Sequence, residues 1–446
     1  MPIENAIYAF LPFLIQSPSD FPSLVKHLES NPSWTPENGK TGYLLKYIAD
    51  KFDRNSDRCL CYHYVLADEQ RSRYGIPAVG ETVTTAEHED IKKNKVRFSF
   101  SVSRVHLFCF STSLCILAFQ LSAADNDPLH IAALEFYIKK VKKEKLYPQS
   151  LHRGHTTLFA MAAAIAAEIP YFLSDSFFYY APKGSARANM LTIVDVPLQD
   201  DYSRELYYLR NCYHDGYLFM PDPPGTLPYV ASNPDVLWGV SSEAAVCLTC
   251  AEMGRRKFLE GTFYKNFHRY YLLMFVMLLH QKYVLYLFLT RVSADENMTL
   301  EELEDYRSQL YAFETDFVFS RVTEVPQYEK PYERIFEEFA LKDMYKDVHE
   351  PLIQLSEVRR AEEQKQRAKE QEQQEQHEHT LSRSLIYLSI LSVFSALVDS
   401  FDFASSYISS YISESIVGVA HAVSLIFIIV VAFFVIKNLR NRPKSK

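Results

Sequence analysis

Glycine is scarce in this chain, at 12 of 446 residues, and no P-loop, Rossmann fingerprint, HExxH or GxSxG occurs. Those absences remove the loops that cradle phosphates, the zinc-protease helix and the nucleophile elbow. No positive sign of an enzyme remains. A basic leader is missing too: MPIENAIYAFLPFL carries Glu4 ahead of its apolar run, so no secretory signal is expected. The 7 cysteines are odd in number and scattered, at 59, 61, 109, 115, 212, 247 and 250. That pattern opposes a disulfide framework and suits reduced thiols in a cytoplasmic body. Positive charge is not in excess: 47 Lys and Arg against 55 Asp and Glu give a net charge of −8, which excludes wholesale nucleic-acid binding.

Aromatic residues are plentiful, with 30 Tyr and 31 Phe. Few glycines and many aromatics predict a helix-rich, aromatic-packed interior. A mean hydropathy of −0.14 assigns most of the chain to water. The length has room for two or three domains.

Residues 1–255 read as an α/β (α+β) cytosolic domain. Arg97–Val105 alternates as a strand does, and Val105–Phe110 and Cys115–Leu121 flank Ser-Thr-Ser-Leu as a β-hairpin would. Helices are expected over Pro128–Lys145 and over the Ala-rich Thr156–Glu168, which stops before Pro170. Strands return between Leu191 and Cys250. Residues 256–351 read as a helical bundle. Phe258–Arg291 is apolar enough for a membrane span, but His280, Gln281 and Lys282 in its middle predict a buried soluble helix. Met298–Tyr311 and Pro331–Glu357 continue as helices, with breaks near Pro326 and Pro331.

Residues 352–383 read as a polar helical stalk. No Gly or Pro occurs from Leu352 through Ala404, and Glu363–Arg367 is one of several opposite-charge pairs at helical spacing. The apolar stripe ends near Val358, which rules out a dry coiled coil beyond it. Such a helix would extend on the order of 50 Å before reaching a membrane. Residues 384–446 read as two transmembrane helices, about 385–403 and 416–436, with a basic tail. Arg383 and the five basic residues of KNLRNRPKSK flank the pair, while the loop between holds Asp399, Asp402 and Glu414 and no Lys or Arg. The positive-inside rule then puts both termini in the cytoplasm and the loop, with the acidic Glu414, outside.

Within the first span Leu388, Ser392, Ser395, Asp399 and Asp402 recur at steps of four, three, four and three, so they share one helical face. A carboxylate at a helix centre in lipid costs about 2.5–3.5 kcal/mol. An oligomer with this face turned inward would convert that cost into a hydrated conduit ringed by Ser and Asp. The other reading places both aspartates just outside the lipid, in a short hairpin loop.

A soluble α/β domain, a long polar helix entering the first of two C-terminal spans, a short outer loop and a basic tail resemble the CorA magnesium-channel superfamily. VHLFCFSTSLCILAFQ and LWGVSSEAAVCLTC look like strand segments of divergent bacterial CorA-like proteins. The resemblance implies a homopentamer in the inner (plasma) membrane, pore-lined by Leu388, Ser392, Ser395, Asp399 and Asp402, with a divalent cation of unassigned identity as its cargo. The family's Gly-Met-Asn is absent, and Ser400-Phe-Asp-Phe403 stands in its place, so magnesium selectivity does not carry over. CorA-like proteins without that motif resemble membrane effectors of type III CRISPR antiviral systems, which implies a nucleotide-derived ligand for the cytosolic domain. A membrane-anchored scaffold is the third reading.

Other groupings carry less. Cys247-Leu-Thr-Cys250 is a lone CxxC, read as a buried thiol pair; Cys59-Leu-Cys61-Tyr-His63 offers three metal ligands or simple strand alternation. Arg153-Gly-His155 before the Ala-rich helix reads as an anion site or a surface cap. Trp238 reads as a core residue or a ligand contact.

Overall fold

The computed structural model describes residues 5–38, 41–151, 154–174, 176, 187–223, 229–294 and 298–408, together with scattered residues between Gly418 and Lys437. The chain divides into two units, Met1–Glu357 and Val358–Lys446.

The first unit is a mixed α/β structure. Its strands are β1 (Ala6–Leu14), β2 (Trp34–Glu37), β3 (Cys61–Leu66), β4 (Val83–Thr85), β5 (His88–Glu89), β6 (Lys95–Val96) and β7 (Ser99–Phe110). They continue with β8 (Leu114–Ala123), β9 (Leu146–Pro148), β10 (Asn189–Asp195), β11 (Val230–Asn233), β12 (Val236–Val240) and β13 (Ala244–Thr249). The helices are α1 (Phe21–Ser30), α2 (Lys46–Phe52), α3 (Pro128–Ile138), α4 (Leu158–Ala166), α5 (Ser203–Arg210) and α6 (Met253–Phe258). After them come α7 (Tyr264–Asn266), α8 (Leu272–Ala294), α9 (Leu300–Phe317), α10 (Pro326–Glu338) and α11 (Leu341–Ile408).

Eleven strands form one sheet in the order β11-β12-β13-β10-β1-β8-β7-β3-β2, with β4 and β9 joined at its side. Every pairing is antiparallel except β10 with β13. Both faces are covered, which is why all of β1 is buried and no polar alternation shows in its sequence. Ile7, Ala9, Leu11 and Phe13 point to the face packed by α1, α3, α4 and α5. Ala6, Tyr8, Phe10 and Leu14 point to the face packed by α2 and by the helices after residue 250. The expected hairpin is β7–β8, closed at Cys109 opposite Cys115 with Ser113 in the left-handed region at φ 72°. The two helices expected before residue 170 are shorter than their sequence patterns. Asp127 caps α3 by accepting from Leu129 N at 2.9 Å, and the helix ends at Ile138.

The stretch expected as one buried helix is helical from Met253 to Ala294 but includes two π-helical segments, Leu259–Phe263 and Phe267–Tyr271. It is a core element: the apolar window within Gly254–Val292 is 83% buried. His280 explains how a polar residue is tolerated there. Its Nε2 meets Thr112 Oγ1 at 2.7 Å, its ring stacks on Phe110, and burial holds its pKa well below 6.5. A base depressed in the folded state contributes stability above pH 6.5 that is lost as pH falls toward the folded value. His280→Gln keeps a hydrogen-bonding group without the titration. Its unfolding free energy should therefore fall less steeply below pH 6.5, by about 1.4 kcal/mol per pH unit. Denaturant titrations of both chains from pH 7 to 5 measure this, and parallel acid limbs would refute it.

Charge is buried where α3 and α8 meet the turn between β12 and β13. Lys139, the residue that caps the end of α3, ion-pairs with Glu243 and donates to Asn211 O at 3.2 Å. Arg187 engages the same carboxylate from the surface. Lys282 of α8 donates to Ser242 O at 2.9 Å, and burial lowers its pKa to about 8 against the pull of Glu243. Burial alone would raise Glu243, but Lys139 and Arg187 outweigh it and leave the carboxyl below its ordinary range.

Pro331 does not break its helix, contrary to expectation. It lies inside α10, and Gln327 O, the carbonyl that its missing N–H leaves free, accepts from Tyr271 Oη at 3.0 Å. The break comes later, at Ala340, which takes φ 51° between α10 and α11. The helix α11 then runs without interruption from Leu341 to Ile408. Its last well-buried apolar residue is Leu352, and Val358 is already exposed. The end of the apolar stripe read from sequence thus coincides with the end of the first unit.

Candidate functional site

All five residues expected to line a pore, Leu388, Ser392, Ser395, Asp399 and Asp402, fall inside α11. At 100° per residue they occupy about 80° of the helix circumference, so an unbroken helix puts them on one face. All five are exposed, and so are the apolar neighbours Leu385, Leu391, Val393 and Val398. Two helical stretches, Gly254–Val292 and Leu341–Ala404, contain windows of the same mean hydropathy, 1.7. Among the described residues, none of the second window is buried. Hydroxyls in and before this segment bond back to the helix: Ser384 Oγ to Thr380 O at 3.0 Å and Ser400 Oγ to Ala396 O at 2.7 Å. That bond lets a serine lie in lipid without a bare donor. Glu414 lies outside the described residues. Within 416–436, the described Gly418, Val419, Ala422, Val423, Leu425, Ile426, Phe427, Ile429, Val430 and Phe433 are helical and exposed.

A second polar grouping sits on the sheet face that packs against α8. Glu37 lies directly opposite His63 in the β2–β3 register. His63 faces Phe108 and Val65 faces His106, so the two histidines are diagonal neighbours on the same face. His63 Nε2 and His106 Nδ1 are 3.0 Å apart. Further along the same face, Tyr8 Oη meets Nδ1 of His268, a residue of the second π-helical segment, at 2.5 Å. Burial raises the Tyr8 hydroxyl far above 10, so it stays protonated and pairs with the imidazole as a neutral hydroxyl. Burial also keeps the imidazoles neutral. It lowers His106 to about 3, with Gln120 opposing, and His268 to about 4; His63 is lowered by burial, then by His106 and Arg104. His106 Nε2 and His268 Nε2 are buried with no hydrogen-bond partner.

This grouping borders a cleft of about 90 Å³ lined by Glu37, Arg54, His63, His268 and Arg269 among others, room for several waters. Sequence reasoning offered Cys59, Cys61 and His63 as three ligands or as strand alternation, and Cys61 and His63 do alternate along β3. Cys59 Sγ donates to Cys61 O at 3.2 Å, and burial pushes the Cys61 thiol well above 9. Among the described residues, the group of three metal-capable side chains is Glu37, His63 and His106, not Cys59, Cys61 and His63.

The remaining candidates resolve into structure. Cys247 and Cys250 are free and buried, and burial raises both thiols, which opposes redox reactivity. Arg153 lies outside the described residues, and the start of α4 is capped by Thr157 Oγ1, which accepts from Ala160 N at 3.0 Å. Trp238 is a core residue against Phe267 and Tyr271. No family model, no curated protein and no solved structure matches this chain.

Proposed function

We propose that the chain is a homo-oligomeric membrane protein of CorA-like architecture that passes cations through a conduit lined by α11. One observation carries the reading: an uninterrupted helix, with an apolar window of membrane-span hydropathy none of whose described residues is buried, gathers Ser392, Ser395, Asp399 and Asp402 on one face. A lone copy would hold those carboxylates against lipid. Several copies with that face inward remove the penalty and gather negative charge along the axis, which concentrates cations. The unit Met1–Glu357 serves in this reading as the cytosolic regulatory domain.

The test is ion flux in liposomes containing the full chain. Asp399→Asn combined with Asp402→Asn should lower cation flux on the order of tenfold, the low end of what a focused field supplies. Flux equal to wild type would remove those residues from the conduit. Conductance seen only after a nucleotide messenger is added would identify the gated antiviral effector. Cellular function that survives exchange of 384–446 for an unrelated anchor would reduce the membrane part to a tether.

A further inference from the structure

We propose that Glu37, His63 and His106 form a binding site for one divalent transition-metal ion of the zinc class. The site is on the cytosolic unit, and the inference stands independently of the conduit. One ligand atom from each residue lies within 4.8 Å of the other two. A tetrahedral ion with bonds of about 2.0–2.1 Å holds neighbouring ligand atoms about 3.3 Å apart. His63 Nε2 and His106 Nδ1, at 3.0 Å, need to part by only a few tenths of an ångström to admit it.

The donors come from three adjacent strands, β2, β3 and β7, so their backbones are fixed before any ion arrives. A metal on Nδ1 would fix the tautomer of His106. A neutral imidazole has one donor and one acceptor nitrogen, and the contact between the two rings uses a single nitrogen of His106. Its Nε2 is left buried and unpartnered. With Nδ1 on a metal, Nε2 must carry the proton, and Gln120 is the side chain that acts on that ring. Glu37 Oε2 is 4.0 Å from Arg104 Nη1, a contact that engages one carboxylate oxygen only at the limit of an ion pair. Glu37 and His63 also line the cleft bordered by His268 and Arg269, which would give an ion or a fourth ligand its way in.

Two imidazoles and one carboxylate suit zinc, cobalt or nickel; magnesium and calcium take sets made of oxygen. The site therefore differs in chemistry from the aspartates of α11.

The experiment uses the full chain in detergent, stripped with chelator and titrated with Zn²⁺ by calorimetry and with Co²⁺ by visible absorption. One ion per chain is expected, with a cobalt spectrum of low coordination number and no displacement by excess Mg²⁺. His63→Gln and Glu37→Gln should each weaken Zn²⁺ binding at least tenfold while keeping the far-ultraviolet circular dichroism of the parent. Cys59→Ser and Cys247→Ser should bind as the parent does. Absence of binding to the parent chain, unchanged affinity in both His63→Gln and Glu37→Gln, or a thiolate-to-cobalt band lost in Cys59→Ser would each overturn the assignment.

Discussion

Replacing Glu243 by Gln is expected to cost the folded state about 3–5 kcal/mol at pH 7, the usual penalty for removing one partner of a buried ion pair. The carboxylate serves more than one charge. Lys139 is ion-paired to it and nearly inaccessible, and Lys282 feels it from α8. Arg187→Ala should cost under about 1 kcal/mol, because that guanidinium is half exposed and can return to water. The pH dependence identifies the mechanism. Lys282 is depressed in the folded chain, so its penalty is complete below about 8 and is relieved as pH rises from there toward its ordinary value near 10.5. Without Glu243 its pKa falls further, and the relief should begin at lower pH. Urea unfolding at pH 7 and 9 gives both numbers. A loss below 1 kcal/mol for Glu243→Gln would mean that the two ammonium groups are not held as described.

Trp238→Ala should be comparably severe, about 3–5 kcal/mol, since it empties the largest fully buried side chain on β12. The cavity would open against Phe267 and Tyr271, at 6.1 and 4.9 Å between ring centroids, where the chain is π-helical. Trp238→Phe separates packing from hydrogen bonding. The indole N–H is buried without a partner, so its removal relieves a desolvation cost of about 1–3 kcal/mol that offsets the lost volume. Phe should therefore lie within about 1 kcal/mol of wild type in thermal or urea unfolding. Equal losses for Ala and Phe would show that the indole nitrogen is satisfied after all.

Much of the architecture is legible in particular residues. His280, Gln281 and Lys282 mark α8 as the interior helix of a folded unit, because such groups find partners in protein more cheaply than in lipid. The β7–β8 hairpin announces itself through two apolar runs around Ser111-Thr-Ser113. From Leu352 onward the continuity of α11 follows from a long stretch without glycine or proline, although the helix already runs through Pro351. The proline rule fails at Pro331, for a reason no local pattern contains: a tyrosine from another helix takes over the freed carbonyl. The histidine cluster is invisible for a related reason. Glu37, His63, His106 and His268 are distant in sequence, and only the order β7-β3-β2 with its register sets the first three side by side. Neighbouring cysteines drew attention to His63, but strand pairing, not sequence proximity, chose its companions.

Lys282 has a consequence for how the chain is made. During synthesis Gly254–Val292 leaves the ribosome before residues 300–352, which later pack around it, exist. At that moment it is an apolar segment long enough to span a membrane. A lysine at the centre of such a helix adds about 2.5–3.5 kcal/mol to the cost of entering the bilayer. The ammonium that the finished domain holds at a disadvantage, as its lowered pKa records, acts earlier as a brake on misdelivery. In a chain that enters the bilayer through its C-terminal stretches, as proposed above, this charge would favour the aqueous side for Gly254–Val292.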